Sequence, residues 1–163
     1  MFENSYKIRV SSRAIIIHDE KILLICFGNG LYYNFPGGGI EKNETAKQAV
    51  IREVLEESGL TVDVGELVFS LEYEPFNCNY KYGEGHHISF FFRCFLNHDI
   101  APVKPLHTDI NPDDETITSA AEWVPLSELH KINFIPMIYE PLMKYIETGT
   151  FTPAFWSEDK HIL

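Results

Sequence analysis

The sequence has few cysteines, and they are not arranged in pairs. Its 163 residues include three, Cys26, Cys78 and Cys94, with no two of them in a CxxC pair. An odd number of widely spaced thiols predicts neither a disulfide framework nor a zinc site. The chain also lacks an apolar run of about 18 residues, which argues against a transmembrane helix. The first ten residues have neither the basic segment nor the apolar stretch of a signal peptide, so we expect a cytoplasmic protein.

Positive charge is also scarce. Lys and Arg number 13 against 24 Asp and Glu, which gives a formal net charge of −11 at pH 7. Nucleic acids and anionic membranes are held mainly by Lys and Arg, so neither is an expected partner. A polyanionic substrate would need cations from outside the chain.

Apolar residues are plentiful, at 45% of the chain with 13% aromatic. Together with the length, this composition predicts a single globular domain over residues 1–163. The β-branched runs at 7–19 and 21–27 predict two strands joined by a tight turn, and 31–35 predicts a short third strand. The cluster from Pro36 to Gly39 is typical of a chain break.

The second half of the chain predicts three more strands. Residues 66–74 alternate in polarity, which predicts that Leu67, Phe69, Leu71 and Tyr73 share one buried face. Residues 86–96 are nearly all apolar and are expected at the centre of the sheet, whereas 97–114 are expected to form a long loop. A short strand at Trp123 and Val124 is followed by a short helix and a second helix at 141–148.

A helical period runs from Thr45 to Ser58, with an apolar stripe formed by Val50, Ile51, Val54 and Leu55. Asn43 is the expected N-terminal cap and Gly59 the expected stop. With the strands around it and the later helix, this helix predicts an α/β fold with a mixed β-sheet covered on both faces.

The same helix carries Glu53, Glu56 and Glu57 on one face, opposite the apolar stripe. Like charges at these spacings weaken a helix by roughly 0.2–0.5 kcal/mol per pair. A solvated acidic surface would explain the composition of this face. A hard cation such as Mg²⁺ or Mn²⁺ would also explain it, because such ions take carboxylate oxygens together with water and phosphate oxygens.

The residues before the helix favour the cation. Nine positions follow one spacing without a gap: Gly38, Glu44, Arg52, Glu53, Val54, Glu56, Glu57, Gly59 and Leu60. This pattern, residues 38–60, resembles the box of the Nudix (MutT-like) hydrolases, G-x5-E-x7-R-E-U-x-E-E-x-G-U with U aliphatic. The resemblance implies a Nudix-type α/β/α sandwich and hydrolysis of a diphosphate linkage in a nucleoside diphosphate joined to another group.

The resemblance also implies roles for residues of the box. Glu53, Glu56 and Glu57 would be metal ligands for Mg²⁺, with Mn²⁺ as a substitute, and the Gly37 carbonyl is a further candidate ligand. Arg52 lies four residues before Glu56 and can orient a carboxylate by hydrogen bonding.

The general base is left open between two carboxylates. Glu53 is the first choice, and Glu115 in the later acidic segment, next to Asp113 and Asp114, is the alternative. Glu44 is expected to be a structural partner.

Substrate-binding residues are less well marked. Gly38 and Gly39 would let the backbone approach a ligand closely, and Tyr33, Phe35 and Phe76 are candidate apolar walls, although packing in the core or at its rim explains each aromatic residue better. Pro75 lies fifteen residues after Leu60, where ADP-ribose hydrolases of the family tend to carry proline. ADP-ribose or a nucleotide sugar is therefore the favoured substrate.

Two other functions stay open. The chain could hydrolyse nucleoside triphosphates, or it could be a sensor that binds nucleotide metabolites without cleaving them. A sensor of this family usually loses box carboxylates, and this sequence keeps all of them. The aromatic C-terminal tail is compatible with a homodimer.

Overall fold

The computed structural model describes residues 6–81, 83–106, 119–135 and 138–157. The strands are β1 (Ile8–His18), β2 (Lys21–Phe27), β3 (Tyr32–Asn34), β4 (Gly37–Gly39), β5 (Val62–Tyr73), β6 (His86–Leu96), β7 (Ser119–Pro125) and β8 (Phe155–Ser157). The helices are α1 (Ala46–Ser58) and α2 (Tyr139–Thr148), with a short 3-10 helix at Leu126–Lys131.

The strands form one mixed sheet in the order β3-β2-β1-β6-β5-β8, with β4 paired to β1 and β7 paired to β2. The β1–β6 and β5–β8 pairs are parallel and the other pairs are antiparallel. The strand at 86–96 lies between β1 and β5, which confirms its predicted central place. Among the described residues, no helix has the length and apolar character needed to cross a membrane.

The two helices cover opposite faces of this sheet because β1 alternates between two apolar clusters. Ile16 packs in a cluster with Val50 and Val54 of α1. The neighbouring Ile15 packs in a larger cluster that contains Leu142 and Tyr145 of α2. Successive strand residues point to opposite faces, so the predicted α/β/α sandwich with a mixed sheet is confirmed.

The first helix begins two residues later than the predicted cap. Thr45, not Asn43, is the N-cap, and its hydroxyl accepts a hydrogen bond from the Gln48 amide while the Gln48 side chain accepts one from the Thr45 amide. This reciprocal pair satisfies two amides that a helix start leaves open. The predicted stop is confirmed, since Gly59 is left-handed at φ 71° and its amide donates to the Leu55 carbonyl.

The glycine cluster was expected to break the chain, but residues 37–39 form a strand. Ser11, Ser12 and Arg13 of β1 pair with Gly39, Gly38 and Gly37. A Cβ on Gly37 would lie 2.2 Å from the Ser12 carbonyl oxygen, and Gly37 has a φ of +140°. The prediction failed because these glycines allow a very close strand pairing rather than a turn.

The alternation predicted for residues 66–74 holds only in part. Phe69, Leu71 and Tyr73 are buried as predicted, but Leu67 is 49% exposed. The pairing of β5 with β6 shifts register on both sides of Leu67. A bulge of this kind interrupts the two-residue period, which turns Leu67 away from the core.

The segment after β6 is fastened to the end of α1. The Val103 amide donates to the Gly59 carbonyl at 2.9 Å, and the Leu106 amide donates to the Glu56 carbonyl at 2.8 Å. A Cβ on Gly59 would lie 1.8 Å from the Val103 carbonyl oxygen. The part of the predicted loop beyond residue 106 lies outside the described residues.

Candidate active site

The helix α1 turns its acidic face toward the glycine strand because its other side is committed to the core. Ala49, Val50 and Val54 of this helix are completely buried on that side. The Ser12 hydroxyl on β1 donates to the Ala46 carbonyl at 2.7 Å, which fixes the first turn against the sheet. The remaining side of the helix is left for the glutamates.

Arg52 gathers three of the box carboxylates around one guanidinium. Its Nε and Nη2 donate to the two oxygens of Glu44 at 2.8 and 3.0 Å, a bidentate pair. Its Nη1 donates to Glu53 Oε1 at 2.7 Å and to Glu56 Oε2 at 3.2 Å. The contact predicted between Arg52 and Glu56 is therefore present, and Glu44 is held as a partner of the arginine.

Arg52 Nη2, which donates to Glu44, also donates to the Gly39 carbonyl at 3.0 Å. The planar fork of the guanidinium thus connects the helix face with the glycine strand. The carboxylates raise the pKa of Arg52, above all because Glu44 accepts hydrogen bonds from it, and the same contact lowers the pKa of Glu44. Arg52 is charged at any physiological pH.

Glu57 reaches the glycine strand directly. Its Oε2 accepts a hydrogen bond from the Gly37 amide at 2.8 Å. Burial raises the pKa of Glu57 to about 7, against the opposing effects of the Gly37 amide and the positive charge of Arg13. The charges of Glu53 and Glu56 raise it further, so the three carboxylates repel one another as the sequence predicted.

The glycine strand makes room for this arrangement. A Cβ on Gly38 would lie 2.5 Å from Glu53 Oε1, closer than two such atoms can approach. Any side chain at position 38 would therefore displace the Glu53 carboxylate or separate β4 from α1. The expectation that Gly38 allows close approach holds for the helix, and its contact with a ligand stays a prediction.

Arg13 was missed by the sequence reasoning and lies under the glycine strand. Its Nη1 donates to the Phe35 carbonyl at 2.9 Å and to the Gly37 carbonyl at 3.3 Å. Burial lowers the pKa of Arg13, and Glu57 opposes the shift. The signal was present, because an arginine followed by four apolar residues in a strand is out of place unless it has a buried partner.

The residues of the acidic face fit a hard divalent cation. Glu53 and Glu56 both accept hydrogen bonds from the same nitrogen of Arg52. Glu57 lies close enough to both for their charges to raise its pKa. All the side-chain atoms that could coordinate a metal here are carboxylate oxygens, which suit Mg²⁺ and Mn²⁺. A cation would also oppose the burial that favours the neutral form of Glu57.

These carboxylates are not yet arranged as a coordination shell. Within the described ranges, no group of three or more His, Cys, Asp or Glu side chains is placed to hold a metal ion. Glu53 and Glu56 are turned to Arg52, and Glu57 to the Gly37 amide. The Gly37 carbonyl, a predicted ligand, accepts a hydrogen bond from Arg13, although a carbonyl oxygen has a second lone pair.

The aromatic candidates are divided by burial. Phe35 is 0% exposed and packs on Phe91 and Phe134, so the expectation that its ring is a wall for a substrate is wrong. The ring was assigned by its closeness to the glycines in sequence, whereas the connection between β3 and β4 places it in the core. Phe76 is 73% exposed in the segment between β5 and β6.

Tyr33 is half-buried, and its hydroxyl donates to Glu122 at 3.4 Å. The adjacent thiol of Cys26 and partial burial raise the pKa of Tyr33, so this hydroxyl stays protonated. Its role toward a ligand stays a prediction. Glu115, with Asp113 and Asp114, lies outside the described residues.

Comparison with known proteins gives a family match over most of the chain. The family described as NUDIX domain matches residues 8–145. The chain is 55% identical over 40 residues to the 8-oxo-dGTP diphosphatase of Escherichia coli (strain K12). The aligned segment covers 24% of this chain and 31% of that protein. It is 42% identical over 62 residues to the ADP-ribose pyrophosphatase of Methanocaldococcus jannaschii. This aligned segment covers 36% of this chain and 37% of that protein.

The matched segments thus span about a third of the length of these two relatives. Among solved structures, a UDP-X diphosphatase superposes with a TM-score of 0.66 at 18% identity, covering 94% of this chain and 69% of that chain. At this identity the likeness is one of fold.

Proposed function

This chain belongs to the NUDIX domain family, and from that premise we propose that it hydrolyses a diphosphate linkage in a nucleoside diphosphate joined to a second group. Water would attack one phosphorus of the linkage. The observation that carries the proposal is the joint hold of Arg52 on Glu53 and Glu56 beside the Gly37–Glu57 hydrogen bond. The arrangement keeps mutually repelling carboxylates together at the glycine strand.

In this proposal Glu53, Glu56 and Glu57 hold Mg²⁺, or Mn²⁺ in its place, and the Gly37 carbonyl is a further ligand. The cation, when bound, neutralises charge on phosphate oxygens and lowers the pKa of water. The side chains around the cation orient the substrate and transfer protons. Arg52 fixes the carboxylates, and Gly38 and Gly39 let the protein backbone approach the substrate closely.

Glu53 is the proposed general base, with Glu115 as the alternative. Glu53 lies against Gly38 and is turned toward the glycine strand by Arg52. A general base of this kind contributes about 10²–10⁴ in rate. A Glu53→Gln variant that loses this range of kcat while Glu115→Gln does not would assign the base to the box.

We propose ADP-ribose or a nucleotide sugar as the substrate. The identity to an ADP-ribose pyrophosphatase over 62 residues supports this choice, as does Pro75. A nucleoside triphosphate is the second candidate, because the identity to an 8-oxo-dGTP diphosphatase reaches 55%. Tyr33 and the exposed Phe76 are the proposed contacts for the base or sugar.

One experiment tests substrate and reaction together. The protein is incubated with Mg²⁺ or Mn²⁺ and ADP-ribose, nucleotide sugars, dinucleoside polyphosphates or nucleoside triphosphates, and the products are identified by chromatography. Release of AMP and ribose 5-phosphate from ADP-ribose, or the matching pair from a nucleotide sugar, is expected. Triphosphate cleavage alone would favour the second candidate, and binding without cleavage of any member would favour a sensor.

The single domain over residues 1–163, the cytoplasmic location and the homodimer stay predictions.

A further inference from the structure

A third arginine lies over the glycine strand, on the side away from Glu53. Arg9 lies on the exposed first part of β1, two residues before Ser11, which pairs with Gly39. A Cβ on Gly39 would lie 3.6 Å from Arg9 Nε and 3.8 Å from Nη2. The guanidinium therefore lies directly over Gly39.

The two adjacent glycines direct opposite charges to opposite sides. Successive residues of a strand face alternate directions, and the missing side chain of Gly38 points at Glu53 while that of Gly39 points at Arg9. The three-residue strand β4 is thus bordered by a carboxylate on one side and a guanidinium on the other. Each of these charged groups lies within 4 Å of the position that the missing Cβ atom of its own glycine would take.

The charge of Arg9 is not balanced by the described part of the protein. Of the arginines near β4, Arg52 has ion pairs with Glu44, Glu53 and Glu56, whereas Arg9 has none among the described residues. Arg9 also lowers the pKa of the neighbouring Arg13, so the two cations repel each other. In a chain with 24 acidic and 13 basic residues, an arginine that has no ion pair within the described ranges and lies beside another arginine is out of keeping with the composition.

We propose that Arg9 binds one phosphate group of the substrate's diphosphate, while the carboxylates of α1 serve the other through the cation. This inference rests on the proposed function. Guanidinium binds phosphate through paired hydrogen bonds, and Nε and Nη2 of Arg9 are the two nitrogens that lie near Gly39. Arg9 is a substrate-binding residue in this account, and it selects compounds with two linked phosphates over monophosphates.

The test compares two ligands and two matched variants. Binding of adenosine α,β-methylene diphosphate, which cannot be hydrolysed at that linkage, and of AMP is measured by calorimetry in the presence of Mg²⁺. Arg9→Gln is the test variant. Arg93→Gln is the control, because it removes the same charge from a guanidinium that lies over Phe95 on β6.

The expected result is a loss of about 10- to 100-fold in diphosphate affinity for Arg9→Gln, with AMP affinity changed less than about 3-fold. Arg9→Lys should recover only part of the loss, since lysine lacks the planar fork. Arg93→Gln should change neither affinity. A thermal melt checks that each variant is folded.

Three results would overturn the inference: unchanged diphosphate affinity in Arg9→Gln, equal losses for both ligands, or an equal loss in Arg93→Gln. Failure of the proposed function looks different. In that case the wild-type protein cleaves no member of the substrate panel, whatever Arg9→Gln does to binding. With a cleaved substrate, Arg9→Gln is expected to raise KM with kcat nearly unchanged.

Discussion

At the scale of single residues, the site depends on which carboxylate each donor holds. Arg52 binds Glu44 with two nitrogens and shares its third between Glu53 and Glu56. Glu57 is held separately, by a backbone amide. Removing one charge should therefore alter the site without unfolding the helix.

We expect Glu56→Gln and Glu57→Gln each to lower kcat at least about 100-fold, a loss of ~2.7 kcal/mol of transition-state stabilisation. Both variants should stay folded, because glutamine has nearly the same shape and Glu57 gives up a charge that burial opposes. Steady-state kinetics with Mg²⁺ measure the effect. Glu147→Gln, on the exposed side of α2, is the matched control, and full activity in either box variant would contradict the assignment.

Sequence alone predicted a contact within the helix better than contacts that depend on the sheet. The spacing of Arg52 and Glu56 on a helix fixes their distance, so their hydrogen bond could be predicted. The burial of Phe35 and the contact of Arg13 with Gly37 depend on how strands pair, which spacing does not reveal.

At the scale of elements, the position of α1 depends on a correct first turn. Thr45 and Gln48 each satisfy the other's amide. The helix carries no acidic residue in its first turn to favour its positive end. The capping box is therefore the main local device that fixes where the helix begins.

We expect Thr45→Ala to lower the free energy of unfolding by about 1 kcal/mol, within the 0.5–2 kcal/mol usual for a lost cap. Urea denaturation measures it. Gln48→Ala should cost less, and the double variant should cost less than both single changes added together, because the two contacts form one reciprocal unit. Strictly additive losses would mean that the box is not formed.

The elements themselves were largely predictable, and the exceptions have local causes. The long helix and the strand at 86–96 have strong periodic or apolar patterns, which survive any arrangement of neighbours. The strand at Gly37–Gly39 has no side chains to form a pattern, and the bulge at Leu67 breaks one. Both depend on the partner strand.

At the scale of the whole molecule, excess negative charge opposes the binding of the proposed nucleotide substrate. The chain carries a formal charge of −11, and a phosphate approaching it is repelled overall. Local cations must overcome that field. Two sources are proposed here, a divalent ion on α1 and Arg9 on β1.

We expect Mg²⁺ alone, without nucleotide, to raise the melting temperature of the wild-type protein. A ligand that binds only the folded state stabilises it by about 2.7 kcal/mol at a hundred times its Kd. Glu56→Gln and Glu57→Gln should show a clearly smaller rise, and Glu147→Gln the full one. The same rise in all four proteins, or none in the wild type, would argue against a cation on the acidic face.

The fastening of residues 103–106 to the end of α1 has a kinetic consequence. Helices commonly leave their last carbonyls to solvent, but here the Glu56 and Gly59 carbonyls accept the Leu106 and Val103 amides. These two amides and those of the final helical turn should therefore exchange with deuterium through one shared opening, with similar protection. Much faster exchange at Val103 and Leu106 would show that residues 103–106 open independently of α1.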